Sequence, residues 1–520
     1  MKKDKKLYYL EKRKKTFKTW LLIIILTLPL IFTILLKPRI DNDLWYLLAE
    51  GKYIFKHGIY HIDPLSMHSG LQITVQNWLS ASIFYGIYSI LGFKGIYILM
   101  LLCYMIISYL IYKICLLISE DNILLSFLVS FITVITLLSY YIVTRPQIFS
   151  FINLLILIYT LELYIKKDNW KYLISIPIIS LIQANMHASL WWMVFLFILP
   201  YFIDSFKFPK LGLQGYRKKP IILASLIGLI VGLINPYGIK AITFIFTSYG
   251  DKYMHDFIAE LLPFSLKNII CINMFAIMII VQLCYTLFRN GKVRIRYICL
   301  FYGTLLLGFL SIKGFSHFTL VSLFPLAYFF KDTIPNDFSD VSDKFMNVVK
   351  NIIKVFSIIG IIFMTLLLCN NIKTLDIPHE PQNIVKELQK LNIKNVNIYS
   401  AFNNGGYLEF YGYKPYIDPR AEVFLKKNNN QKDIFKEYYN LQKEYLEPDT
   451  FLKNYDFDYL MVEPDDILYN NIDEEKYILM YFDYNNNYKL YGKKELFTEE
   501  QLNIFTEKYK NNIVIQKKVA

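Results

Sequence analysis

The stretch TWLLIIILTLPLIFTILL, residues 19–36, runs directly into KPRIDNDLWYLLAEGKYIF, residues 37–55. The first carries no charge and is long enough to cross a bilayer. The second sets two carboxylates, Asp41 and Asp43, within a few residues of the membrane exit. A charge at that depth costs free energy unless something pairs with it, so an ionisable pair there is a functional hypothesis by default.

The rest of the chain agrees with the first run. Of its 520 residues 55% are hydrophobic, 17% aromatic and only 19% charged, and the mean hydropathy is +0.34. Such a composition belongs to a polytopic α-helical membrane protein. The net charge of +14 does not point to nucleic acid: nine Lys and Arg fall in the first 19 residues, and others cluster in KKDNWK (166–171), YRKKP (216–220) and RNGKVRIR (289–296). Short basic links of this kind face the cytoplasm. No cleavage site of the A-x-A type follows the first apolar run, which therefore reads as a retained helix. The six cysteines all lie in or at the ends of apolar runs, as packing residues do.

About 11 transmembrane helices are expected, at 20–36, 95–118, 123–143, 147–165, 172–187, 188–206, 221–239, 271–288, 297–312, 316–330 and 351–370. NWLSASIFYGIYSILG (77–92) is read as an amphipathic helix on the outer surface, because counting it as a span would put all three basic links outside. This gives a basic cytoplasmic tail (1–19), a transmembrane domain (20–370) whose first outer loop is 37–94, and an extracytoplasmic soluble α/β domain (371–520). In that last part VKELQKL has helical spacing, while NVNIYSA, GGYLEFYG, KPYIDPR, DFDYLMVEP and NNYKLYGKK read as strands. On this topology all seven histidines fall on the outer side.

Several polar motifs interrupt the apolar runs. Asp41 and Asp43 can cap the helix LWYLLAEGKYIFK, which Gly58 would end; with Trp45 and Tyr46 as interfacial anchors they can equally serve as a general base at headgroup depth, or hold a divalent cation. TRPQIFSF (144–151) presents Arg145, suited by its fork to a phosphate or to snorkelling. QANMHASLWW (183–192) carries His187, a turn residue or a metal ligand. LINPYGIK (233–240) leads into DKYMHDFIAELLPF (251–264), where His255, Asp256 and Glu260 are weak metal candidates. SIKGFSHFTL (311–320) puts Lys313 and His317 in an outer hairpin, where an anionic lipid-linked substrate would account for the lysine. In the tail, FNNGGYLEFYGYKPYIDPRAEVF (402–424) combines a Gly-Gly turn with Asp418, Arg420 and Glu422.

Together, DNDLW, AEGKYIFKHGIYHIDPLS with the following NWL, TRPQIFSF, NMH, NPYG, GGYLEF and YIDPRAEVF resemble motifs of the GT-C superfamily of membrane glycosyltransferases, within the bacterial group related to protein mannosyltransferases and aminoarabinose transferases. The resemblance implies a polyprenyl-phosphate-linked sugar donor and transfer with inversion at the outer face, with the catalytic acidic position falling on Asp41 or Asp43. The D-N-D form departs from the Asp-Glu pair of the protein mannosyltransferases, and the tail is unlike their extra domains.

The expected activity is therefore transfer of a sugar from a lipid-linked donor to a cell-envelope glycan, lipid or protein, in the plasma membrane with the N-terminus inside. Asp41 and Asp43 are the expected catalytic residues, Arg145, Lys313 and Arg420 the donor phosphate ligands, and Asp43, His187 and His255 the candidates for a divalent metal. The competing readings are a polymerase or ligase of lipid-linked glycans, leaning on Arg145 and Arg420, and a transporter or scaffold without chemistry. The absence of internal repeats speaks against a transporter.

Overall fold

The computed structural model describes residues 2–35, 41–141, 143–287, 294–334 and 381–516, with isolated positions at 351, 355 and 358. The expected span at 351–370 lies, but for those three positions, outside the described residues, as does His379. The chain divides into two compact units. One comprises Met1–Arg39, Ile87–Thr243 and Ile258–Leu375; the other comprises Ile40–Gly86, Phe244–Phe257 and Asp376–Ala520. Residues 40–86, most of the expected first outer loop, thus belong to the same unit as 376–520.

The first unit is helical. Its elements include α1 (Lys2–Leu35), most of a long α3 (Trp78–Ile118), α4 (Ile123–Tyr141), α5 (Gln147–Lys167), α6 (Ser175–Met186), α7 (Trp192–Asp204), α8 (Lys219–Val231), α11 (Ile269–Leu287), α12 (Ile295–Leu310), α13 (Phe315–Val321) and α14 (Phe324–Phe329). α2 (Asp43–His57) and α10 (Lys252–Phe257) belong to the second unit, and α9 (Ile239–Ser248) runs across the division between Thr243 and Phe244. Among the described residues five helices are long and apolar enough to cross a membrane, and Ala188–Asp204, Lys219–Val231, Ile239–Ser248 and Ile295–Leu310 are apolar but shorter. The helices fall where the apolar runs place them; the count of eleven spans is a finer statement than their lengths support. The segments 77–92 and 95–118 meet inside α3 at Gly92, with φ +62° and ψ −155°, a conformation essentially confined to glycine.

Pro146 stands at the N-cap of α5, where a residue without an N–H loses nothing. α5 packs on α6 and α7, α6 on α8, and α12 on α7 and α13. A buried charge cluster ties α5, α7 and α12 together. Arg296 Nε donates to Glu162 Oε1 at 3.0 Å and its Nη1 to Asp204 Oδ2 at 2.6 Å, while the Tyr201 and Tyr297 hydroxyls also donate to Glu162. Buried charges persist when each is paired and hydrogen-bonded, and here the fork of one arginine serves both acids.

The second unit is built on a five-stranded mixed sheet of β1 (Asn397–Tyr399), β2 (Lys414–Pro415), β3 (Tyr459–Val462), β4 (Tyr477–Asp483) and β5 (Tyr488–Lys493) in the order β2-β1-β3-β5-β4. β1 runs parallel to β2 and β3, and β5 runs antiparallel to β3 and β4. The helix expected at VKELQKL is Gln382–Lys390. GGYLEFYG, expected as a strand, is instead a helix over Gly405–Phe410. Packing decides this: a Cβ on Gly405 would lie 2.0 Å from the Ile417 carbonyl oxygen, and one on Gly406 would lie 2.9 Å from the Tyr46 nitrogen. The double glycine lets this short helix press against α2 and the 417–418 backbone at once. Trp45, expected as a membrane-interface anchor, is buried in the same contact, edge-on to Tyr407 at 4.6 Å and against Phe410 at 5.4 Å.

Candidate active site

α2 begins and ends where its sequence says, with Gly58 N–H bonding back to the Ile54 carbonyl. Asn42 makes no side-chain cap. Asp41 does the capping: its Oδ1 accepts the Asp43 N–H at 3.0 Å, and its carbonyl accepts the Leu44 N–H at 3.0 Å. Asp43 sits in the first turn, where the helix dipole favours a carboxylate. Both side chains are half-buried.

Behind this helix, in the same unit, Arg420 is enclosed by four carboxylates. Nη1 donates to Asp63 at 2.9 Å, Nη2 to Glu409 at 2.6 Å and to Asp418 Oδ2 at 2.8 Å, and Nε to Asp418 Oδ1 at 2.9 Å; Glu50 lies 3.6 Å from Nη1. The arginine side chain is 3% exposed. One cation cannot hold four buried anions. Burial pushes Glu50 up to about 8, although Arg420 pulls against it, and pushes Glu409 well above the carboxylate range for the same reason. Burial acts on Asp63 too, but Arg420 and the bonds from Ser66 outweigh it and hold that group low. Arg420, expected to meet a donor phosphate, has all three of its nitrogens committed to carboxylates.

In the first unit, three motifs distant in sequence converge. Arg145 Nη1 donates to Glu260 Oε2 at 2.6 Å, and Lys313 Nζ reaches the same oxygen at 3.5 Å. Burial would raise the Glu260 carboxyl, but Lys313 and Arg145 more than offset it and hold it at about 2. A buried polar network lies alongside. Ser150 Oγ is 3.1 Å from His187 Nδ1, Gln183 Nε2 donates to Ser150 Oγ at 2.9 Å, and Asn153 donates to Gln183 Oε1 at 3.0 Å. Gln147 donates to Ser316 Oγ at 2.6 Å, next to the buried His317. TRPQIFSF, QANMHASLWW and SIKGFSHFTL therefore build one cationic site with a fixed polar wall. Glu260, considered in sequence only as a weak metal candidate, is its anion, and nothing local marked it so.

Asp43 starts α2, His187 hydrogen-bonds Ser150, and His255 lies half-buried on α10. Among the described residues no group of three or more His, Cys, Asp or Glu side chains is placed to hold a metal ion.

No family model matches the chain, and no curated protein does. Solved structures do. The apo crystal structure of the Archaeoglobus fulgidus oligosaccharyltransferase matches 86% of this chain and 70% of its own, with a TM-score of 0.54 at 11% identity. The same enzyme tethered to an acceptor peptide containing the NVT sequon matches 93% and 75%, with a TM-score of 0.56 at 10% identity. The archaeal oligosaccharyltransferase AglB from that organism, in complex with an inhibitory peptide and a dolichol-phosphate, gives 0.55 at 9% identity over the same shares. This chain shares the fold of these structures, with several helices long and apolar enough to cross a membrane and a small C-terminal sheet.

Proposed function

We propose that this protein is a glycosyltransferase that moves a sugar from a polyprenyl-phosphate-linked donor to a cell-envelope acceptor at the outer face of the plasma membrane. The observation that carries this reading is the Arg145–Lys313 pair, two cations converging on one anion beside a buried polar wall, in a fold shared with enzymes one of which has been captured with a dolichol-phosphate. In the proposed reaction Asp41 or Asp43 takes the proton of the acceptor hydroxyl. The hydroxyl oxygen forms a bond to the anomeric carbon as the bond from that carbon to phosphate breaks, and the electron pair leaves on the lipid phosphate. Arg145 and Lys313 hold that phosphate, for which a guanidinium fork and an ammonium are suited. Arg420 takes a positioning role instead, bracing α2 through Glu50 and the loop after it through Asp63.

A second reading, transfer of a whole lipid-linked glycan by a ligase or polymerase, is favoured by the activity in the neighbours' names. Supplying membranes with polyprenyl phosphate carrying a radiolabelled monosaccharide, and comparing the envelope glycans of a deletion strain, separates the two. The first reading expects label in an acceptor that the deletion strain lacks. Label transferred only from an oligosaccharide donor would favour the second, and no change in any envelope glycan would contradict both.

A further inference from the structure

Glu260 is delivered to the cationic pair by a short turn, Ala259–Leu261, that is itself tied to the α12–α13 hairpin carrying Lys313. The Ile312 N–H donates to the Leu262 carbonyl at 2.9 Å, and the Phe264 N–H to the Phe309 carbonyl at 3.2 Å. A single carboxylate oxygen takes both cations, at 2.6 Å and 3.5 Å. The Glu260 side chain is 43% exposed and that of Arg145 16%, so the anion is the more accessible partner. A phosphate oxygen accepting from the same fork would need the place this oxygen fills, and a carboxylate left against a bound phosphate would repel it.

We infer that Glu260 is a displaceable counter-ion of the Arg145–Lys313 site, standing where a phosphate oxygen of the lipid-linked donor binds and returning when the lipid phosphate leaves. The inference rests on the reading of Arg145 and Lys313 as phosphate ligands. The carboxylate held at about 2 keeps its charge throughout the working pH range, so the competition is always present. Its effect is to weaken ground-state binding of the phosphate and hasten release of the product, while keeping the two cations from repelling each other when the site is empty of lipid.

Binding of farnesyl phosphate and of inorganic phosphate to the purified full-length chain in detergent tests this. Glu260→Gln is expected to bind farnesyl phosphate roughly tenfold tighter than the unaltered protein, the scale of removing one close charge competitor, and Glu260→Asp, which withdraws the charge by one methylene, to fall between them. Tightening of both probes identifies the bare phosphate group as the competitor; tightening of farnesyl phosphate alone identifies a lipid-borne phosphate, and either supports displacement. Unchanged or weaker binding in Glu260→Gln would overturn it and make Glu260 a positioning residue for Arg145. Should Glu260→Gln fail to give a normal melting transition, Glu260→Asp carries the test with the same expected sign. If Arg145→Met and Lys313→Met leave farnesyl phosphate binding untouched, the underlying reading of the two cations fails instead, which is a different result from a silent Glu260 variant.

Discussion

Arg420 Nη1 and Asp63 Oδ1 lie 2.9 Å apart although 357 residues separate them in sequence. That bond, buried with Glu409 and Asp418 on the other guanidinium nitrogens, fastens the segment 40–86 to the C-terminal domain within one compact unit. Removing one partner of a buried ion pair strands the others and costs about 3–5 kcal/mol. Arg420→Met is therefore expected to lower the thermal midpoint of this unit sharply and open residues 40–86 to protease. Arg420→Lys is expected to rescue little, because an ammonium cannot make the fork's bonds to three carboxylates. Melting of the purified chain with limited proteolysis checks both.

The pH dependence of the same cluster follows from Glu50. Its folded carboxyl titrates near 8 and its ordinary value is 4.5, so between those limits the folded state keeps a proton that the unfolded chain has released. This contribution to stability is fully present below 4.5 and is lost as pH rises to about 8, a fall of the order of a few kcal/mol. Asp63, held low, works in the opposite sense and matters only in acid. Glu50→Gln keeps the shape and removes the titration, so it is expected to flatten the decline of the thermal midpoint between pH 5 and pH 8.

The Arg296 cluster makes a parallel prediction in the helical unit. Arg296→Met leaves Glu162 and Asp204 buried without their cation and is expected to cost about 3–5 kcal/mol. The double change Arg296→Met with Glu162→Gln should recover part of that loss. A double-mutant cycle read by thermal unfolding in detergent measures it.

Topology is tested by reporters. With the N-terminus inside, a fusion at residue 212 is expected to be active only with a cytoplasmic reporter, and one after residue 370 only with an external reporter. Opposite results would remove the shared outer face from the functional reading.

The sequence made the helices legible because apolar runs, Pro146 and Gly58 are local signals, and it singled out TRPQIFSF, QANMHASLWW and SIKGFSHFTL, which the fold brings to one place. What escaped depended on distant partners. Nothing near Arg420 announces Asp63, and nothing near Glu260 announces Arg145. YILMYFD was not picked out as a strand, although it forms β4. GGYLEF, rich in aromatics, reads locally as a strand; the close approach of Gly405 and Gly406 to α2 and residues 417–418 makes it a helix. Arg296, counted only as a cytoplasmic charge, is the buried partner of Glu162 and Asp204.

Turnover of Asp41→Asn and Asp43→Asn, in membranes supplied with a polyprenyl phosphate sugar, tests the central claim most directly. Asparagine caps about as well as aspartate, and at position 41 its Oδ1 can still accept the bond that the residue-43 N–H donates, so both variants are expected to insert and melt normally. Neither can accept a proton. The variant that removes the base is expected to lose transfer by roughly 10²-fold or more. Near-normal turnover in both would reduce the pair to a helix start and contradict the proposed reaction.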